Sequence, residues 1–108
     1  MKVSELTTSA GFTALNLTDP EREIQGCYIG DLLSWVMGRA KPGNLWITIM
    51  SNVNVAAVAS LVDVSAVLFA EGVVPDEQTL NAARFRGINL ITTDLPEYEA
   101  AVVVSSVI

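Results

Sequence analysis

The chain has 108 residues, a length that fits one domain, and 51% of them are hydrophobic against 17% charged, which excludes a disordered chain. Twelve acidic and six basic side chains leave a net charge of −6, and the six cations (Lys2, Arg22, Arg39, Lys41, Arg84, Arg86) form no run, so a nucleic-acid-binding face is not expected. With no histidine and a single cysteine, Cys27, an intrachain disulfide, a Cys/His zinc site and a Ser-His-Asp triad are all excluded.

No apolar stretch reaches the roughly 18–20 uninterrupted residues of a membrane span, and no signal-peptide pattern opens the chain. These features lead us to expect a cytoplasmic protein without membrane contact, metal or cofactor. Cys27 lies in the apolar stretch Ile24-Gln25-Gly26-Cys27-Tyr28-Ile29 and reads as a small buried hydrophobe, because no base or cation adjoins it.

In chain order, residues 1–10 carry Val3, Leu6 and Ala10 at helical spacing with Gly11 as a stop. Residues 12–17 predict a short strand, and Thr18-Asp19-Pro20-Glu21 a turn with Asp before Pro. A second strand spans 23–29, and Gly30-Asp31 opens a helix over 30–38 before the turn Lys41-Pro42-Gly43-Asn44. Residues 45–50 form a strand apolar on both faces, followed by an Ala/Val-rich helix over 54–61 and a second buried strand over 66–70. Asp76 caps a helix over 77–86 that Gly87 ends, and 88–92 is a third buried strand. Asp94-Leu95-Pro96-Glu97 has the spacing of a capping box, and the last helix runs to the C-terminus.

Near-continuous apolar strands alternating with helices predict a single three-layer α/β/α domain over residues 1–108, with a mostly parallel sheet and a mixed edge from the N-terminal segments. The stretch from Gly26 to Asp94 resembles the DRTGG domain family. The resemblance is carried by Gly30-Asp31-Leu32-Leu33-Ser34-Trp35-Val36-Met37-Gly38 and Lys41-Pro42-Gly43-Asn44-Leu45-Trp46-Ile47-Thr48. It continues through Val55-Ala56-Ala57-Val58-Ala59-Ser60-Leu61, Pro75-Asp76 and Gly87-Ile88-Asn89-Leu90-Ile91-Thr92-Thr93-Asp94.

That resemblance implies a fold like the N-terminal domain of HPr kinase/phosphorylase, in a family also fused to phosphotransacetylases and CBS-domain pyrophosphatases. Small stand-alone members are often encoded near iron hydrogenase components, which implies a larger metabolic or redox enzyme as partner. The letters Asp-Arg-Thr-Gly-Gly do not occur here, and the turn after the first buried strand is the uncharged Ser51-Asn52-Val53-Asn54. Kinase chemistry is not expected, because no Gly-x-x-x-x-Gly-Lys-Ser/Thr loop exists.

In an open parallel sheet, ligands bind beyond the carboxyl ends of the strands, where helix N-termini favour anions. The residues placed there are Ser51, Asn52 and Asn54, then Glu71 and Gly72, then Thr92, Thr93 and Asp94. They suit a nucleotide or small anionic metabolite, yet the same residue types are ordinary helix caps, and both readings stand. Asp94 and Glu97 could form an acid/base pair, but capping accounts for both; Asp31 reads as a helix-start residue.

Helices apolar around their whole circumference predict a homodimer, with Trp35, Met37, Val55, Val58, Val103 and Val107 as candidate interface residues. The function expected is a non-catalytic regulatory or ligand-sensing module working with a larger metabolic or redox enzyme. The alternatives are a small enzyme acting on a phosphorylated or acyl substrate at the strand ends, and a purely structural assembly factor.

Overall fold

Runs that are apolar at every position can only be buried on both faces, and those runs become the centre of the sheet. The computed structural model describes residues 1–107. Its elements are α1 (Ser4–Thr8), β1 (Thr13–Asn16), β2 (Cys27–Ile29), α2 (Leu33–Arg39), β3 (Leu45–Thr48), α3 (Asn54–Val62), β4 (Ala66–Phe69), α4 (Glu77–Arg86), β5 (Leu90–Thr92) and α5 (Glu97–Ser105). The strands form one five-stranded sheet in the order β1-β5-β4-β3-β2. β2, β3, β4 and β5 are parallel neighbours, while β1 joins β5 antiparallel, with an irregularity between Ala14 and Asn16.

Alternation along the strands divides the core between the two faces. Leu45, Ile47, Ala66, Leu68 and Ile91 point to the face covered by α1 and α5, where they meet Leu6, Ala100 and Val104. Trp46, Val67, Phe69 and Leu90 point to the other face and pack on Val36 of α2, on Val55, Val58, Ala59 and Val62 of α3, and on Ala83 of α4. The three layers therefore hold two helices, five strands and three helices, and the radius of gyration is 11.9 Å.

Several boundaries differ from the sequence expectation for physical reasons. The second strand shrinks to Cys27–Ile29, because Ile24 is drawn to the N-terminal segment through an Ile24 N–H to Met1 carbonyl bond and Glu23 bridges Lys2. α2 begins at Leu33 rather than Gly30, since the Asp31 carboxylate accepts bonds from the end of β3 instead of from its own helix. The capping box at Asp94 does not form: the N-cap of α5 is Pro96, without a side-chain capping bond. Asp76 does cap α4, accepting from the Thr79 N–H at 2.9 Å, and Gly87 ends that helix in the left-handed region.

The apolar circumference of α3 also has a different cause from the one expected. Val55 and Val58 are buried against the chain's own sheet, because α3 is the middle helix of its layer, flanked by α2 and α4. They are therefore removed from any interface. Cys27 is exposed rather than buried, since β2 is an edge strand of the sheet. Ile108, the last of the apolar C-terminal residues, lies outside the described residues.

Candidate functional site

The four parallel strands end on one rim, at Ile29, Thr48, Phe69 and Thr92. The chain leaves β2, β3 and β4 toward the three-helix layer but leaves β5 toward the opposite layer. Adjacent connections leave β4 and β5 toward opposite faces, so the ends of these two strands are where a ligand is expected in a sheet of this kind. The residues Glu71 and Gly72 on one side, and Thr92, Thr93 and Asp94 on the other, are brought together at that point.

Main-chain hydrogen bonds join the two strand ends directly. The Glu71 N–H donates to the Leu95 carbonyl at 2.9 Å, and the Gly72 N–H donates to the Thr93 carbonyl at 2.9 Å. The Thr92 hydroxyl donates to the Val73 carbonyl at 2.7 Å, and the Thr93 hydroxyl accepts from the Leu95 N–H. Both threonines thus stitch the rim together. Glu71 takes φ +60° and Gly72 φ +72°, and a Cβ at Gly72 would lie 3.2 Å from the Asp94 Oδ1. A glutamate held in the left-handed region is strained, at a cost of roughly 1–2 kcal/mol.

Ser51, Asn52 and Asn54 sit on the same rim beyond β3. The Ser51 carbonyl accepts from the Thr79 hydroxyl, and the Asn52 side chain accepts from the Asn54 N–H at 2.9 Å, a local turn that starts α3. The helix-cap reading accounts for Asn52. It does not account for Glu71, Asp94 or Glu97.

Charge is the rim's main chemical feature. Asp31, from the β2–α2 loop, accepts from the Thr48 hydroxyl at 2.8 Å and from the Ile49 N–H at 3.0 Å through one carboxylate oxygen. Glu97, in the first turn of α5, has its Oε2 buried with no hydrogen-bond partner. Loss of water pushes the Glu97 carboxyl above the usual carboxylate range, and the adjacent Asp31 and Glu71 push it further the same way. Carboxylates from three loops and one helix therefore crowd one rim, with no cation among the groups that act on Glu97. Among the described residues no group of three acidic or cysteine side chains is arranged to hold a metal ion.

Asp31 and Glu97 are the residues that sequence reasoning weighed but assigned to a helix start and a helix cap rather than to the site. The signal was present: once β2 is taken as a member of the parallel sheet, Asp31 follows its carboxyl end as Asp94 follows that of β5. Away from the rim, burial pushes the Cys27 thiol up to about 11, so it is protonated at neutral pH and a poor nucleophile, although the residue itself reaches solvent. A depression of about 350 Å³ at the opposite end of the sheet is lined by Arg22, Glu23, Gln25, Pro42, Gly43 and Asp63. Its arginine is held in an ion pair with Asp63 at 2.8 Å.

No family model matches the chain, and no curated protein matches it either. Among solved structures it is similar to the CBS and DRTGG domains of the regulatory region of Clostridium perfringens pyrophosphatase, crystallised with the activator diadenosine tetraphosphate. That likeness has a TM-score of 0.76 at 15% sequence identity and covers 95% of this chain and 45% of the other. The two share a fold, and this chain spans less than half the length of that one.

Proposed function

We propose that this chain is a non-catalytic regulatory or ligand-sensing module of the DRTGG type, and that the carboxyl rim of its sheet is the responsive face. The observation that carries this reading is the gathering of Glu71, Asp94, Asp31 and Glu97 on the carboxyl rim of the sheet, with a buried carboxylate oxygen left unpartnered by the chain's own fold. These carboxylates lack the nucleophile or cationic partner that catalysis on a phosphorylated or acyl substrate calls for. The fold shared with a nucleotide-activated regulatory region supports the same class of role.

The acidity of the rim constrains the ligand. A nucleotide brought there sets its phosphates against several carboxylates, and such like-charge contacts are unfavourable without a cation between them. The ligand we propose is therefore a nucleotide accompanied by its divalent cation, with the cation bridging phosphate and rim. Thermal denaturation with ATP and with diadenosine tetraphosphate, each with magnesium and with a chelator, tests this reading. A rise in Tm only in the magnesium arms supports it; no rise in any arm refutes a nucleotide ligand.

The second part of the reading is a homodimer that docks on a larger metabolic or redox enzyme in the cytoplasm. It is supported by apolar side chains that the chain leaves in water: Trp35 is 52% exposed, and Leu32, Met37 and Ile49 are similarly open. Trp35 is held in place by the Arg39 guanidinium, 3.8 Å from its ring centroid. Val103 is half-buried on α5 and Val107 is exposed just beyond it, so both can contribute to such a contact, whereas Val55 and Val58 cannot.

A further inference from the structure

The two edges of the sheet are built differently. β1 carries an irregularity between Ala14 and Asn16, which breaks its ladder and blunts that edge. β2 pairs in unbroken register with β3 alone, and its residues Cys27, Tyr28 and Ile29 include no charge and no proline. In a parallel pair, every second residue turns its main-chain groups toward the neighbouring strand. The Gly26 carbonyl accepts from the Leu45 N–H, and the Gly30 N–H donates to the Ile47 carbonyl, which puts Tyr28 on the β3 side. The N–H and C=O groups of Cys27 and Ile29 therefore point off the sheet, and no other described residue bonds to them.

An apolar corner borders this open edge. Ile29, Leu32, Trp35 and Ile49 are each between 43% and 58% exposed. The Trp46 indole N–H donates to the Gly30 carbonyl, and the Asp31 Oδ1 accepts from the Ile49 N–H, so the β2–α2 loop is drawn onto the end of β3. The other Asp31 oxygen accepts no bond from the described residues. Arg39 is occupied by the Trp35 ring. The loops that follow the four parallel strands contain Asp31, Glu71, Asp76 and Asp94, and no lysine or arginine.

We propose that the open edge of β2 receives an extended segment of a partner protein, one that carries apolar side chains and a basic residue. The segment adds a strand by bonding to the main chain of Cys27 and Ile29, a mode in which backbone bonds give affinity and alternate side chains give specificity. Its apolar side chains cover Ile29, Leu32, Trp35 and Ile49, and its arginine or lysine meets the free oxygen of Asp31. Charge calls for a basic occupant, because an acidic segment would face carboxylates with no free cation to receive it. This deepens the docking on a larger enzyme proposed above and rests on that reading, but it needs neither the nucleotide nor the dimer.

The test is selection of random decapeptides displayed on phage, with the folded protein as target. Enriched peptides should combine arginine or lysine with alternating apolar residues. Amide NMR with the best of them should place the largest shifts at Cys27, Ile29, Leu32, Trp35 and Ile49, with slowed hydrogen exchange at the Cys27 and Ile29 amides. Cys27→Pro removes an outward N–H but leaves the β3 ladder complete, and should weaken binding about tenfold or more, whereas Cys27→Ser should not. Asp31→Asn keeps the Oδ1 acceptor and should weaken binding roughly three- to tenfold. Enrichment of acidic peptides, or an affinity unchanged in either Cys27→Pro or Asp31→Asn, would overturn the proposal. Peptides that map to another face overturn this site and leave the docking reading standing; no enrichment on any face overturns both. A wild-type dimer that Cys27→Pro splits into monomers assigns the edge to a second copy and overturns the partner segment. If Cys27→Pro fails to fold, the exchange of the two amides and the Asp31→Asn affinity decide the matter.

Discussion

Replacing Asn89 by alanine is expected to be among the most damaging single substitutions in this chain. Asn89 is 3% exposed, just ahead of β5, and its side chain makes four hydrogen bonds to the main chain. Its Oδ1 accepts from the Thr18 and Asp19 N–H groups at 3.0 and 2.9 Å, and its Nδ2 donates to the Asp19 and Ser65 carbonyls at 2.8 and 3.0 Å. One amide therefore holds the turn after β1 and the start of β4 to the start of β5.

Each such bond has a net worth of about 0.5–1.5 kcal/mol, and a buried group left unpaired loses about 1–3 kcal/mol. The Ser65 carbonyl end is fully buried, while water can reach part of the 18–19 turn. Taking about 1 kcal/mol for each of the three turn bonds and about 1 kcal/mol for the buried one gives a loss of roughly 4 kcal/mol. Against a total stability of about 5–15 kcal/mol, that is a large fraction. Urea denaturation should show the midpoint moving sharply down with an unchanged slope, because the native state still buries the same surface. Asn89→Asp should keep the two accepted bonds and recover part of the loss when its carboxyl is protonated. A change below about 1 kcal/mol in Asn89→Ala would refute the view that this amide organises the junction.

Three further outcomes are expected. Gly38 lies inside α2 with open space around the added Cβ and an ordinary φ, whereas Gly87 takes φ +71° with comparable space. Gly38→Ala should therefore stabilise by about 0.5–1 kcal/mol, and Gly87→Ala should destabilise by about 1 kcal/mol, as read by chemical denaturation. The Thr79 backbone N–H, bonded to the Asp76 carboxylate at 2.9 Å, holds that carboxyl below its ordinary value of 3.8. Its contribution is present above that pH and is lost as the pH falls through the lower folded value, so Asp76→Ala should lower Tm at pH 6, and the gap to the wild type should shrink as the pH falls below 3.8. If the proposed dimer uses α2, Trp35→Asp should shift sedimentation from dimer to monomer; a wild type that sediments as a monomer at micromolar concentration would exclude that dimer.

Much of this architecture was legible along the chain because it rests on local rules. The apolar runs at 45–47 and 66–69 fit strands buried on both faces, and Asp76 and Gly87 bracket α4 because a capping carboxylate and a left-handed glycine act within a few residues. Most of the candidate rim residues were also readable, since the ends of parallel strands share one side. The use each residue is put to was decided only by contacts distant in sequence. Asp31 begins no helix because Thr48 and Ile49, seventeen and eighteen residues away, offer it better donors. Val55 and Val58 read as surplus apolar surface until α3 takes the middle of its layer, and Cys27 reads as core until β2 falls at the sheet's edge. Glu97 has the spacing of a cap, but Pro96 takes the N-cap position and the glutamate meets two other acids. Periodicity and capping are written in the nearest few residues; which carboxylates face each other depends on how strands from opposite ends of the chain lie side by side.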